Sequence, residues 1–178
     1  MQPKPIRKLF SPAEASALRR RWARGGLSVV FTNGVFDLLH AGHVDILEKA
    51  ARLGDRLIIG LNTDASARRL EKKGPARPIN RLKDRARVLG SLACVDAVVP
   101  FCEDTPEKLL SRLKPDVLVK GADYRPQQVA GRRHAGKLVL IRLKRGYSTT
   151  ALLQRIRARR SFAPPHHRIS LQEGKQEM

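Results

Sequence analysis

The stretch LSVVFTNGVFDLLHAGHVDILEKA, residues 27–50, decides the fold of this chain. It opens with a β-rich run that ends at Gly34, and after His43 it carries apolar residues at helical spacing, namely Val44, Leu47 and Ala50, which Ala51 continues just beyond the stretch. The stretch therefore predicts a strand, a loop and a helix in succession. The apolar run RLIIGL at 56–61 is typical of a strand that is buried on both faces, which predicts a parallel partner strand.

The rest of the chain continues this alternation of strands and helices. The segment SPAE at 11–14 has the sequence of a capping box and predicts a helix to about Arg24. Further strands are predicted at 95–101, 116–121 and 137–143. The segment 62–80 is predicted to begin with a short helix and to continue as a mobile basic loop. Three more helices are predicted, from Asn80 through Ala93, at 105–113 and at 148–160. Right-handed crossovers then give an α/β fold, a Rossmann-like three-layer sandwich with a five-stranded parallel sheet in the expected order 3-2-1-4-5.

The charge of the chain favours anionic ligands. Its 178 residues include 36 Lys plus Arg against 16 Asp plus Glu, a net charge of +20 that attracts nucleotides, sugar phosphates, nucleic acid or acidic lipid; a solvated arginine surface is the alternative. Aromatic residues make up only 4%, which argues against a nucleic-acid-binding module because stacking platforms are scarce. No signal peptide and no 18-residue apolar run is found, so a cytoplasmic protein without a membrane partner is expected.

The two histidines in the opening stretch are candidates for phosphate chemistry. In an open parallel sheet, ligands bind beyond the carboxyl ends of the strands where the strand order reverses. A helix that starts there points free N–H groups at the ligand, and residues three apart at its start, His40 and His43, lie on one side. Gly42 between them has no side chain that would occupy the space for the ligand. The alternatives are one core and one surface histidine, or a metal site, for which no third ligand is evident.

These residues carry a resemblance to a known family. The segment GVFDLLHAGH resembles the H-x-G-H signature of the nucleotidyltransferase superfamily that contains the cytidylyltransferases. Further matching pieces follow in order from about residue 27 to residue 157, namely GLNTDASARRL, KGPARPIN, DRARVLGSLACVDAVVPFCEDTPEKLL, PDVLVKGADY and GYSTTALLQRI. They are most similar to the adenylyltransferases of ADP-heptose synthesis, and more distantly to glycerol-3-phosphate cytidylyltransferases.

The resemblance implies a reaction and a domain organisation. AMP would pass from ATP to D-glycero-D-manno-heptose 1-phosphate with release of pyrophosphate, and Mg²⁺ would bridge the phosphates, in the synthesis of ADP-heptose and lipopolysaccharide-core precursors. CTP with glycerol 3-phosphate or a related polyol phosphate is the alternative, because GAD stands where GGD is usual and RPQQVAGRRHAGKLVL is short. Residues 27–160 would form the nucleotidyltransferase domain, residues 1–26 an N-terminal segment whose helix packs on the core, and 161–178 a flexible tail. A homodimer is also compatible with the resemblance.

The resemblance further implies roles for individual residues. His40, His43 and Lys73, or its neighbour Lys72, would form the catalytic set. The nucleotide-binding set would be Thr32, Asn33, Gly34, Val35, Phe36, Asp37, Gly42, Arg85, Lys120, Gly121, Asp123, Ser148, Thr149 and Thr150. Three of these have other interpretations: Ser148 as a plain helix cap, Arg85 as a solvated surface charge, and Asp37 as a hydrogen-bond partner of its own loop.

Overall fold

A computed structural model of the protein describes residues 8–70, 78–142, 144 and 146–160. Its strands are β1 (Val29–Gly34), β2 (Arg56–Asn62), β3 (Ala97–Phe101), β4 (Val117–Gly121) and β5 (Lys137–Ile141). Its α-helices are α1 (Pro12–Arg24), α2 (Ala41–Ala51), α3 (Asp64–Leu70), α4 (Leu82–Gly90), α5 (Glu107–Leu113) and α6 (Thr149–Arg160). Two short 3₁₀ turns, Pro126–Gln128 and Arg132–His134, connect β4 to β5.

The five strands form one parallel sheet in the order β3-β2-β1-β4-β5, as the sequence predicted. Strand β1 pairs with β2 from Val29 opposite Arg56 to Gly34 opposite Leu61. On its other side it pairs with β4, where Val30 lies opposite Val117. The strand order therefore reverses between β1 and β4, and the loops beyond their carboxyl ends separate to leave a crevice.

Apolar side chains cover both faces of the sheet and make the predicted three-layer sandwich. One core cluster joins α1 and α5 to the sheet through residues such as Trp22, Phe31 and Leu110. The other joins α2 and α4 to the opposite face and includes Leu47 and Leu89. Each of these five side chains is at most 9% exposed, so the burial of apolar surface on both faces stabilises the sheet.

Helix α1 has the capping box that its sequence predicted. The Ser11 side chain accepts a hydrogen bond from the Glu14 backbone N–H at 3.3 Å, and the Glu14 carboxylate accepts one from the Ser11 N–H at 2.7 Å. Its apolar face, with Trp22 buried and Leu18 packed beside it, lies on the sheet of its own chain.

The prediction for α4 was wrong at both ends. Arg81, not Asn80, is the N-cap, and the helix ends at Gly90 rather than Ala93. The Asn80 side-chain amide is used elsewhere, because it donates to the Asp37 carbonyl at 2.9 Å. A tertiary contact across more than 40 residues thus replaces the local cap that the sequence suggested.

The open edge of β3 is covered by the segment ahead of α1. Leu9 forms a parallel bridge with Val98. The Phe10 N–H donates to the Val98 carbonyl at 3.0 Å, and the Val98 N–H donates to the Lys8 carbonyl at 2.7 Å. Residues 8–10 therefore occupy the outward-facing backbone groups of Val98.

None of the helices in the described residues is both long enough and apolar enough to cross a membrane.

Candidate active site

A cavity of about 340 Å³ lies beyond the carboxyl ends of β1 and β4, at the point where the strand order reverses. Four segments line it: the end of β1 with the loop after it, the start of α2, the end of β4, and the loop that leads into α6. The lining residues are Thr32, Asn33, Gly34, Val35, Phe36, His40, Gly42, His43, Ile46, Lys120, Gly121, Asp123, Tyr124, Lys144, Tyr147, Ser148 and Thr149.

The rings of His40 and His43 are stacked on one side of the cavity. Their centroids are 3.8 Å apart and their planes are inclined by 14°. His40 is the N-cap of α2, and its Nδ1 accepts a hydrogen bond from the His43 N–H at 3.3 Å. A nitrogen that accepts a hydrogen bond carries no proton, so neutral His40 has its N–H at Nε2. The ring of Phe36 packs edge-on against His43 with a centroid distance of 5.2 Å.

Two backbone positions make room for this pair. A Cβ added to Gly42 would lie 2.7 Å from the Cβ of Tyr147 and 3.1 Å from Nδ1 of His40. Glycine at this position therefore lets the loop before α6 approach the start of α2. Phe36 has a φ of 45°, an uncommon value for a residue with a side chain, and in this conformation its ring reaches His43.

The surroundings of both imidazoles favour their neutral forms. Burial, together with a smaller effect of the nearby His40 ring, lowers the pKa of His43 to about 4, and a hydrogen bond with the Leu38 backbone opposes this shift. Burial also lowers the pKa of His40, and the hydrogen bond with its own backbone opposes that shift. The pair therefore offers neutral hydrogen-bonding groups to a ligand.

Two buried polar atoms of cavity-lining residues have no hydrogen-bond partner in the described part of the chain. They are Nδ1 of His43 and Oδ1 of Asn33. An unpaired buried polar atom is costly, typically about 1–3 kcal/mol. A ligand that supplied the missing partners would recover part of this cost.

Lysine side chains approach the cavity from β4 and from the loop before α6. Nζ of Lys120 lies 5.2 Å from the centroid of the Tyr124 ring, and Nζ of Lys144 lies 5.1 Å from that of the Tyr147 ring. Burial lowers the pKa of Lys120 to about 8, and the negative charge of Asp123 opposes the shift. Lys120 therefore remains mainly protonated at pH 7 and can bind an anion.

Helix α6 points its N-terminus at the same cavity. Oγ of Ser148 accepts a hydrogen bond from the Ala151 N–H at 3.0 Å, so Ser148 caps the helix and lines the cavity at once. The sequence left these two roles as alternatives, and the geometry allows both. Thr149 also lines the cavity, whereas Thr150 is not among the lining residues. The free N–H groups at the start of the helix favour a phosphate on this side.

Arg85 does not lie where the sequence analysis placed it, since it neither lines the cavity nor reaches the solvent. Its side chain is buried, and its guanidinium donates to the carbonyls of Asn80 at 3.0 Å, Val35 at 2.6 Å and Asn62 at 2.9 Å. It also forms an ion pair with Asp64 at 2.7 Å. Arg85 thus ties the ends of β1 and β2 to the segment before α4.

Asp37 is likewise absent from the cavity lining. Its buried carboxylate accepts hydrogen bonds from the Ile79 N–H and the Asn80 N–H, both at 2.9 Å. It bonds backbone groups as one interpretation predicted, but they belong to the segment before α4 rather than to its own loop. Lys72 and Lys73, the remaining candidates, lie outside the described residues.

Four lining residues were missed by the sequence analysis, namely Ile46, Tyr124, Lys144 and Tyr147. Tyr124 and Tyr147 each belong to a quoted motif, PDVLVKGADY and GYSTTALLQRI, so their place within the motifs was an available signal. Lys144 and Ile46 carry no such signal in a single sequence.

The doubly wound sheet and a cavity at its switch point define a nucleotide-binding α/β protein. The chain belongs to the cytidylyltransferase-like family, whose model matches residues 31–155. It is therefore a nucleotidyltransferase with the H-x-G-H signature, as the resemblance predicted.

Curated relatives agree with this assignment. The protein named bifunctional protein HldE in Magnetococcus marinus is 55% identical over 157 residues, which cover 86% of this chain and 32% of that protein. The protein of the same name in Helicobacter pylori is 56% identical over 129 residues, 72% of this chain and 27% of that protein. The chain thus spans about a third of the length of these relatives.

Solved structures share the fold. A lipopolysaccharide core biosynthesis protein from Thermoplasma volcanium is 29% identical with a TM-score of 0.58, covering 67% of this chain and 99% of its own. A pantoate-beta-alanine ligase from Francisella tularensis, solved with beta-gamma ATP and beta-alanine, has a TM-score of 0.59 at 16% identity, covering 84% of this chain and 73% of its own. The second likeness concerns the fold alone.

Proposed function

We propose that this enzyme transfers AMP from ATP to D-glycero-D-manno-heptose 1-phosphate and releases pyrophosphate, which makes ADP-heptose for lipopolysaccharide core synthesis. The observation that carries the proposal is the arrangement of phosphate-binding groups around one cavity of about 340 Å³. The neutral histidine pair lies at the start of α2. The N-terminus of α6 also borders the cavity, and the Lys120 side chain approaches it from β4.

The choice of sugar rests on similarity. The quoted motifs resemble the adenylyltransferases of ADP-heptose synthesis over most of the chain. The relatives named HldE are bifunctional by name, and the chain matches about a third of their length, which is compatible with this chain carrying one of two activities. The lipopolysaccharide core biosynthesis protein from Thermoplasma volcanium matches at 29% identity.

The chemistry requires positioning rather than a protein nucleophile. An oxygen of the acceptor phosphate attacks the α-phosphorus of ATP, the bond to the bridging oxygen of the β-phosphate breaks, and its electron pair leaves with pyrophosphate. A phosphate monoester is largely a dianion at pH 7, so no proton has to be removed from the attacking oxygen. The Nε2–H of neutral His40 can donate to an oxygen of the α-phosphate, and Lys120 can neutralise charge as it grows.

The described residues fit a magnesium ion that arrives with the nucleotide. They contain no group of three or more His, Cys, Asp or Glu side chains that could hold a metal ion. Asp123 offers one carboxylate in the cavity lining, and oxygen ligands of this kind suit Mg²⁺, which usually keeps several waters and binds substrate phosphates. When bound, Mg²⁺ would offset negative charge on the triphosphate.

A pyrophosphate-release assay tests the proposal. Wild-type protein is incubated with ATP or CTP, each with heptose 1-phosphate or glycerol 3-phosphate, and release is expected only with ATP and the heptose. In that reaction His40→Asn should lower kcat by about 100-fold, the effect of losing one well-placed donor to the transition state. Release with CTP and glycerol 3-phosphate but none with ATP and the heptose would overturn the proposal in favour of a polyol-phosphate cytidylyltransferase.

A further inference from the structure

A second cavity of about 320 Å³ adjoins the first one. The two share the backbone segment 33–35 at the end of β1, together with Lys120 and Tyr124. The shared residues form a common wall, and Lys120 is the cation in it among the described residues. A ligand in either cavity can therefore approach Lys120.

The remaining walls of the second cavity come from elements that do not border the first. Its own lining residues are Asn62, Leu70, Asp104, Thr105, Pro106, Gln128, Val129 and Ala130. The polar members lie at the end of β2, after β3 and in the first 3₁₀ turn. They carry amide, hydroxyl and carboxylate groups, which can donate to and accept from hydroxyl groups of a ligand.

Lys120 and Asp104 bring opposite charges to the lining of the second cavity. Lys120 stands at the common wall, while Asp104 stands after β3, where Nε of Arg69 pairs with its carboxylate at 2.7 Å. A carboxylate repels a phosphate but accepts hydrogen bonds from hydroxyl groups. The cavity thus suits a ligand with a phosphate beside Lys120 and several hydroxyl groups beside the other polar lining residues.

We propose that the second cavity binds the hydroxyl-bearing carbon chain of the acceptor, with the acceptor phosphate at Lys120 and with Thr105 and Gln128 as specificity-determining residues. This inference rests on the proposed function, because it assigns the acceptor of that reaction to its own part of the site.

In-line displacement supports the assignment. The attacking oxygen and the leaving pyrophosphate must lie on opposite sides of the α-phosphorus, so the two reactants enter from different directions. With ATP in the cavity that holds the histidine pair, the acceptor oxygen forms its bond to the α-phosphorus at the common wall. The pyrophosphate then leaves on the far side, near the N-terminus of α6.

Neighbouring glutamines provide a matched pair for the test. Gln128 lines the second cavity, whereas Gln127 lies on another surface of the same 3₁₀ turn. Gln128→Leu is expected to raise the KM for heptose 1-phosphate by about three- to ten-fold, the effect of one lost neutral hydrogen bond, and to change the KM for ATP by less than about two-fold. Gln127→Leu is expected to leave both constants within about two-fold of wild type.

A second variant tests the cavity by filling it. Thr105 is exposed, so Thr105→Trp should fold, and its indole would occupy space that the acceptor needs. We expect heptose 1-phosphate binding, measured by calorimetry, to weaken by about ten-fold or more, and the affinity for a non-hydrolysable ATP analogue to stay within about two-fold. Equal losses for both ligands would place the acceptor elsewhere and overturn the inference, as would equal acceptor KM values for the two glutamine variants.

The outcomes separate this inference from the proposed function. If wild-type protein releases no pyrophosphate from ATP and heptose 1-phosphate, the proposed function fails. The Gln128 and Gln127 variants are then compared with whichever nucleotide and acceptor phosphate do react. A raised acceptor KM in Gln128→Leu alone still supports the second cavity as the acceptor site, and no difference between the variants overturns it.

Discussion

Replacing Arg85 by methionine is expected to destabilise the whole domain and to weaken ATP binding. The guanidinium joins three backbone carbonyls and the Asp64 carboxylate, and no other side chain among the described residues donates to these groups. Methionine fills similar space but donates nothing, so Arg85→Met removes the guanidinium donor from all four acceptors, although the Leu82 backbone still donates to Asp64. The ends of β1 and β2, which line the cavities, lose their common anchor.

The magnitude follows from how buried each acceptor is. The bond to the Asn62 carbonyl is fully buried, and leaving such an acceptor unpaired costs roughly 2–3 kcal/mol. The bonds to Val35 and Asn80 are partly buried and cost about 1 kcal/mol each when lost. The Asp64 side chain is 31% exposed, so water can replace much of its lost partner. We therefore expect Arg85→Met to lower the free energy of unfolding by about 4 kcal/mol, a large part of a typical 5–15 kcal/mol.

Urea denaturation followed by circular dichroism measures this loss of unfolding free energy. The comparison is valid when the slope of the unfolding free energy against urea concentration is the same in the variant and the wild type. Asp64→Asn is the control, because it removes the charge but keeps a hydrogen-bond acceptor. It should lower the free energy of unfolding by less than about 1 kcal/mol. If Arg85→Met does not fold, Arg85→Lys replaces it with an expected loss of about 2 kcal/mol, since ammonium lacks the planar fork. A loss below about 1 kcal/mol in either Arg85 variant would refute the assignment of Arg85 as a structural anchor.

Three further predictions concern the cavity. Gly42→Ala is expected to lower kcat/KM by roughly ten-fold or more, because the new Cβ would displace Tyr147 and the start of α6. The free energy of unfolding should change by less than about 1 kcal/mol, since Tyr147 is 40% exposed and can move. His43→Asn is expected to flatten the acid side of the stability profile. The folded pKa of about 4 lies below the usual histidine pKa of 6.5, so unfolded chains bind more protons between these pH values and the wild type loses stability as pH falls through that window. Lys120→Arg is expected to remove an alkaline decline of kcat/KM near pH 8, the pH at which Lys120 loses its charge while arginine keeps it.

Each of these predictions has a result that contradicts it. For Gly42, the control is Gly90→Ala, whose added Cβ meets its nearest neighbour at an ordinary 3.6 Å; equal activity of the two variants would exclude the close approach as the cause. An unchanged acid slope in His43→Asn would show that other groups cause the loss of stability. An alkaline decline that persists in Lys120→Arg would assign it to a different residue.

Features that depend on neighbouring residues were predictable from the sequence. The capping box at Ser11, the buried run of β2 and the paired histidines all have causes within a few residues, and their spacing is visible in one chain. The strand order was predictable as well, because the motif at the end of β1 indicated that the strand order reverses beside this strand.

Features that depend on distant partners were not predictable. Arg85 stands at helical spacing among other cationic residues, and its partners lie 5 to 50 positions away. Nothing local distinguishes it from Arg87, the exposed arginine of the same helix. Asn80 and Asp37 bond each other's segments across about 43 positions, so a local cap was the natural but wrong interpretation of Asn80.

The bridge between Leu9 and Val98 bears on how this protein avoids aggregation. A bare edge strand is a template on which another molecule can add its own strand, and β3 is rich in buried apolar residues that would make such pairing favourable. Residues 8–10 bond to the backbone of Val98 and so cover part of this edge. Cutting the chain after Phe10 should therefore lower its solubility and promote intermolecular sheet growth even if the catalytic cavity is left intact.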